Sequence, residues 1–255
     1  MLKIEIVIVD NMRRQQSPQS YIKRWLRLGI PYVDFTLLDT DETKNSFNTY
    51  GLILSSQDIG LPPVKTNYIE IEGRQGSLDM SEAFDEILYG DRTLTFTFNI
   101  VNDIYAWDEL RTHIANDLHG KRCKIVVYSD TDFYYIGRCS VDKYQSSKGL
   151  GTITVKCICE PFKYSQYIDK DITLGTTEYT TVTETFTIEG KPTEIYCNTA
   201  NATSSSVIFK IDSKSNFTVP RESGGYYPVL IGSGQHTIKV TGLGSVRITY
   251  QEKHI

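Results

Sequence analysis

Along most of the chain apolar residues return at every second position. Leu94, Phe96, Phe98 and Ile100 point one way while Thr95, Thr97 and Asn99 point the other, the pattern of a half-buried strand with β-branched residues on its wet face. Lys124–Tyr128 and Phe133–Ile136 flank Ser129–Asp132, which predicts a hairpin with a four-residue loop. A second hairpin is predicted from Cys139–Tyr144 and Thr152–Cys157 around the loop Gln145–Gly151, with Ile153, Val155, Cys157 and Cys159 sharing a face. Leu2, Ile4, Ile6 and Ile8 mark another strand. Its apolar stretch is short, contains Glu5, ends at Asp10 and has no small-residue cleavage site, so it reads as a strand and not as a secretion signal.

One segment has helical spacing. Trp107, Leu110, Ile114 and Leu118 form an apolar stripe within a helix expected at about 103–119. Asn102 and Asp103 offer capping oxygens, Asp108 and Glu109 suit the positive end of the macrodipole, and His119-Gly120 closes the helix. A single helix among many strands is not a βαβ repeat, so the expected class is mainly β, an antiparallel architecture with one packed helix.

Two stretches interrupt the alternation. Gly60 to Arg92 is a connection of roughly 30 residues, a length that in loops usually carries function. It holds one short alternating run, Tyr68–Glu72, which predicts a strand, then Gly73-Arg-Gln-Gly76. The second break is Glu160-Pro-Phe-Lys-Tyr164. Pro161 ends the preceding strand, and beyond it lie Thr-, Ser- and Gly-rich short strands, among them Thr185–Ile188, Val207–Ile211, His236–Val240 and Val246–Tyr250. They predict a small β-sandwich. The expected domains are therefore 1–164 and 165–255.

Composition narrows the function. There are 27 basic and 31 acidic residues, net −4, which argues against specific nucleic-acid binding driven by phosphate neutralisation. No apolar run approaches the ~20 residues of a membrane helix. Five cysteines leave one unpaired and are too few for a disulfide scaffold. Asn201-Ala-Thr203 and Asn216-Phe-Thr218 match the glycosylation pattern but carry no weight without secretion.

Catalytic signatures are missing. Gly149-Leu-Gly151, Gly232-Ser-Gly234 and Gly242-Leu-Gly244 lack the third glycine and the helix of a nucleotide loop, and read as hairpin turns. Cys157-Ile-Cys159 has the wrong bite for zinc and reads as small core hydrophobes. His113 and His119 lie on different helix faces. Asp79, Glu82, Asp85 and Glu86 crowd one segment, and a solvated acidic loop is the favoured reading over a glycosidase pair. No catalytic residue, metal site or cofactor is expected, and the residues point to a binding or structural protein.

Several segments together resemble the distal tail protein (Dit) family of long-tailed, non-contractile bacteriophages. They are Asn48-Thr-Tyr-Gly-Leu-Ile-Leu54, the run from Pro63 to Asp79 with its Gly73-Arg-Gln-Gly-Ser-Leu-Asp79 core, Tyr89–Phe98, Glu160–Tyr164, and Leu230–Ile238 followed by Gly242–Tyr250. The resemblance covers about residues 45 to 255. It implies an N-terminal β domain with one helix and a projecting hairpin, followed by a galectin-like β-sandwich. It further implies a hexameric ring at the virion tail tip, assembled in the host cytoplasm, a hub between the tail tube and tape-measure proteins on one side and a tail-associated lysin or receptor-binding protein on the other. The projecting arm would carry Tyr68, Ile69, Glu70, Ile71, Arg74 and Leu78 and offer backbone groups to a neighbouring copy. The first ~40 residues depart from the family, which usually begins near Phe47–Gly51. They add a strand, the loop Arg13–Pro18 and the basic-aromatic run Tyr21–Arg27, read as an extra hairpin of the ring or a partner-specific extension. A second reading makes the sandwich a carbohydrate-binding module for a host glycan, with Asn216, Arg221, Tyr226 and Tyr227 as its candidate contacts; the alternative for those residues is loop capping.

Overall fold

The computed structural model describes residues 29–81, 87–100, 107–147, 150–221 and 226–255, without the side chains of 146, 147, 150 and 226. The expected strand at Leu2–Ile8, the loop Arg13–Pro18, the run Tyr21–Arg27, the caps Asn102 and Asp103, Gly149, and the carboxylates of Glu82, Asp85 and Glu86 lie outside the described residues.

Along the chain come β1 (Val33–Leu37), β2 (Thr43–Asn45), α1 (Ser46–Tyr50), β3 (Leu52–Ile59), β4 (Tyr68–Ile69), β5 (Leu78–Asp79), β6 (Arg92–Ile100), α2 (Trp107–Leu118), β7 (Arg122–Val127), β8 (Asp130–Ser147), β9 (Leu150–Cys159) and β10 (Lys163–Ser165). There follow β11 (Ile168–Thr173), β12 (Thr180–Ile188), β13 (Thr193–Asn198), β14 (Ser206–Ile211), β15 (Phe217–Pro220), β16 (Tyr226–Ile231), β17 (Gly234–Gly242), β18 (Ser245–Tyr250) and β19 (Lys253–His254). The mainly β class expected from the alternation is what the chain adopts. It divides into two compact units, one of Met1–Ile59, Leu94–Ser129 and Arg138–Cys157, the other of Gly60–Thr93, Asp130–Gly137 and Ile158–Ile255.

The first unit is built on the sheet β2-β1-β7-β8-β9-β6-β3. Its core is the alternation made real: Leu94, Phe96 and Phe98 of β6, Ile125 of β7, and Ile153, Val155 and Cys157 of β9 are all buried. Trp107, Ile114 and Leu118 of α2 are buried too. A Cβ on Gly151 of β9 would stand 3.3 Å from the Trp107 ring, so that glycine admits the indole against the strand. Gly120, at φ +79°, takes the left-handed position just past the helix.

Three expectations need correction here. The first hairpin turns at Tyr128-Ser129, two residues and not four, because β8 already starts at Asp130. Phe133–Ile136 and Cys139–Tyr144 are one strand, not two; the unbranched backbone of Gly137 lets β8 continue where a Cβ would lie 2.3 Å from the Cys159 sulfur. And α2 is not the only helix. α1 is a single turn, capped by the Asn45 side chain, which accepts from the Phe47 and Asn48 amides at 3.0 and 2.8 Å. It places Ser46 to bond the Val33 amide and Tyr50 to bond Asp117 of α2.

In the second unit β11-β18-β13-β16 and β12-β17-β14-β15 form two four-stranded sheets whose inner faces bury one common core, including Ile172, Ile195 and Ile248 from the first and Phe186, Phe209 and Ile238 from the second. This is the expected sandwich. Gly232-Ser-Gly234 and Gly242-Leu-Gly244 are not hairpin turns: β16 and β18 belong to one sheet and β17 to the other, so both segments carry the chain across the sandwich. The open edges are blunted. Lys170 reaches from β11 to the Thr185 carbonyl on edge strand β12 at 2.9 Å, and edge strands β15 and β16 carry Pro220 and Pro228, which have no N–H to offer.

Candidate functional site

The segment Gly60–Thr93 is a ribbon with a fixed root and an uncovered tip. At the root the Gly60 amide donates to the Thr93 carbonyl at 3.1 Å, and the Arg92 Nε donates to the Gly60 carbonyl at 3.0 Å. Arg92 is 2% exposed and its guanidinium carbon lies 5.2 Å from the Tyr135 ring centre. Next, the Gly90 amide donates to the Pro63 carbonyl, Val64 bridges Tyr89, and the Lys65 amide donates to the Leu88 carbonyl. The Tyr89 ring meets Phe162 edge-on at 6.0 Å and lies under the Lys191 ammonium at 5.4 Å.

Toward the tip, β4 and β5 pair Tyr68 with Asp79 and Ile69 with Leu78. The strand expected over Tyr68–Glu72 is therefore shorter, because the chain turns at once: the Arg74 amide donates to the Ile71 carbonyl at 3.1 Å with Gly73 at φ +81°. A positive φ at the third turn position is what a type II turn demands, and glycine meets it without strain. The Asp79 carboxylate accepts from the Ser81 amide, and its bonds to Ser81 hold it below the usual carboxylate range.

Every residue from Pro63 to Ser77 is exposed. Tyr68 is 59% exposed, Ile69 and Ile71 each 45%, and Val64, Met80, Ile87 and Leu88 are exposed as well. Of the residues expected on an arm, Tyr68, Ile69, Glu70, Ile71 and Arg74 are all exposed, and Leu78 is half-buried opposite Ile69. Two strands alone are marginal in water, and large side chains grouped on such a ribbon mark a surface made to be covered. Met80, Ile87 and Leu88 were missed in the sequence because they lie beside the acidic run that reads as a solvated loop.

The sugar candidates fall around the edge strands β15 and β16. Tyr227 is 45% exposed and stacks on Phe217 at 5.5 Å and 17°, which stacks in turn on Phe209 at 5.5 Å and 13°. Asn216 and Arg221 are exposed at the two ends of β15, and the Tyr226 side chain lies outside the described residues. Phe217, the residue that orients Tyr227, was not among the sequence candidates.

All five cysteines are buried thiols, and among the described residues no three His, Cys, Asp or Glu side chains are placed to hold a metal. His113 is exposed on α2 and His119 is exposed just past its end, His113 3.4 Å from Asp117 and His119 accepting the Val141 amide through Nδ1 at 3.1 Å. No described helix is long and apolar enough to cross a membrane.

No protein-family model and no curated protein matches this chain. Among solved structures, the chain is similar to the crystal structure of the SPP1 Dit (gp 19.1) protein, described there as a paradigm of the hub adsorption apparatus in Gram-positive infecting phages. The TM-score is 0.62 at 11% sequence identity, over 89% of this chain and 100% of that one. At that identity the likeness speaks for architecture alone: this chain has a Dit-like, mainly β fold.

Proposed function

We propose that the chain is a structural component of a bacteriophage tail tip, a hub that closes into a ring of six copies and performs no catalysis. The observation that carries this reading is the arm: a ribbon bonded firmly at its root, whose tip presents Tyr68, Ile69 and Ile71 to solvent. The Dit-like fold supports it. The mechanism is strand or side-chain docking of each arm on the next copy, a head-to-tail contact that closes on itself and so consumes the exposed edges that otherwise promote aggregation. In this reading residues 1–164 make the ring, residues 165–255 form the outer sandwich, and the partners are the tail tube, the tape-measure protein and a lysin or receptor-binding protein, at the tail tip of a virion assembled in the host cytoplasm.

The test is solution mass by light scattering together with negative-stain microscopy, on the chain and on a variant with 66–81 replaced by a Gly-Ser linker. A ring in the first and monomers in the second are expected. A ring that survives the replacement overturns the role given to the arm.

A second reading, host-glycan binding by the sandwich, is favoured by the Phe209–Phe217–Tyr227 stack, which leaves an aromatic ring exposed at a sheet edge. Glycan-array binding by the full chain, lost in Tyr227→Ala, is its expected result; no binding to any glycan sinks it.

A further inference from the structure

We propose that the groove between α2 and β8 is the receptor for the arm tip of a second copy. This rests on the reading of the arm as an inter-subunit element and names the surface it docks on. The groove holds about 440 Å³ and is lined by one face of the helix and by the β8 residues from Val141 to Tyr144. Its floor is apolar, from Ala115, Val141 and the Tyr144 ring. Its rim is cationic. The Arg111 guanidinium stands 5.7 Å from the Tyr144 ring centre, and Lys143 is exposed beside it.

The charges facing this groove are few. Arg111 touches Asp108 only at 3.9 Å, with Asp108 88% exposed, a pair worth little in water. His119 accepts the Val141 amide through Nδ1 at 3.1 Å. Asp142 is the one carboxylate among the described lining residues. Two cations with one opposing anion thus border an apolar floor, on a chain whose net charge is −4.

The arm tip is the complement. Ile69-Glu70-Ile71-Glu72 alternates apolar and anionic side chains, all exposed. With Asp79 and Arg74 the tip carries three carboxylates and one guanidinium, net −2. Asp79 is occupied by Ser81, so Glu70 and Glu72 are the anions it offers. Seating Ile69 or Ile71 on the floor sets apolar against apolar, and Glu70 and Glu72 are the anions in the same four residues for Arg111 and Lys143.

The experiment uses the full chain carrying benzoylphenylalanine at position 71, mixed as light and ¹⁵N-labelled protein, irradiated and mapped by mass spectrometry. Expected are cross-links between differently labelled copies, landing on 111–119 or 141–144. Cross-links between copies that land elsewhere overturn the groove assignment while leaving the arm reading intact. Cross-links confined to a single copy overturn both. In parallel, Arg111→Glu/Lys143→Glu should weaken self-association roughly tenfold or more with unchanged melting, and Glu70→Lys/Glu72→Lys added to the same chain should restore it. Weakening by each pair without mutual rescue rejects the groove. A wild-type chain that stays monomeric at every concentration rejects the groove and the arm together, and a groove that instead captures a small anion, with no effect of the charge swap, rejects it as the arm's receptor.

Discussion

The Arg92 guanidinium, 2% exposed, donates through Nε to the Gly60 carbonyl at 3.0 Å and so ties the two ends of the arm to each other. Its Nη1 is buried with no hydrogen-bond partner among the described residues. A cation held this way is costly to bury, and here it joins the two ends of the 34-residue excursion Gly60–Thr93. Arg92→Ala should lose this bond, the contact with Tyr135 and the side-chain volume, about 2–4 kcal/mol of unfolding free energy. Chemical denaturation measures the loss. Hydrogen exchange at Lys65 and Gly90 should rise more than at Phe96, since the root pairs loosen first.

Arm-tip residues should behave in the opposite way. Ile71 is 45% exposed, so Ile71→Lys should change the stability of the single chain by no more than about 0.5 kcal/mol. The same substitution should abolish self-association. Thermal melting and light scattering on one sample separate the two effects.

Gly137 allows no side chain. A Cβ there would lie 2.3 Å from the Cys159 sulfur and 2.6 Å from the Ile158 carbonyl oxygen, a backbone atom that cannot step aside. Gly137→Ala should cost about 3 kcal/mol or more, at the upper end of overpacking effects. Gly232→Ala, with open space around its Cβ position, should cost far less. Denaturant midpoints of the two variants give the comparison.

Burial pushes the Cys197 thiol from an ordinary 9.0 up to about 12. Above pH 9 the unfolded chain releases this proton and the folded chain keeps it, so stability falls as pH rises. The contribution is whole below about pH 9, declines by about 1.4 kcal/mol per pH unit and levels off near 12. Burial raises Tyr134, Tyr135 and Tyr250 as well, which adds to the alkaline loss in the same direction. Cys197→Ala should lower stability at neutral pH by a constant amount and make the decline above pH 9 shallower. Urea unfolding between pH 7 and 11 tests the slope.

What was legible in the sequence is what each residue decides with its near neighbours. Leu94–Ile100 alternates because one face of β6 meets the core, and Trp107, Ile114 and Leu118 recur at helical spacing because one stripe of α2 does. A period of two or of 3.6 is written locally, since the water-facing side of each element must be polar. The same logic made the Gly60–Arg92 stretch stand out, since its only alternating run is the short Tyr68–Glu72.

Partners far along the chain were decided only by tertiary structure. Nothing near Phe133 announces that β8 runs on through Gly137, because the need for glycine comes from Cys159 on another strand. The glycine pairs at 232–234 and 242–244 look like hairpin turns until the sheet order sends the chain to the opposite layer. Arg92 opens an ordinary alternating strand, yet its buried bond to Gly60 exists only once both ends of the arm are brought together. The groove of Arg111, Lys143 and Tyr144 likewise joins a helix to a strand. Hydrophobic patterning settles which face of a segment is buried; which other segment buries it depends on loop closure and packing, and these are properties of the whole folded chain.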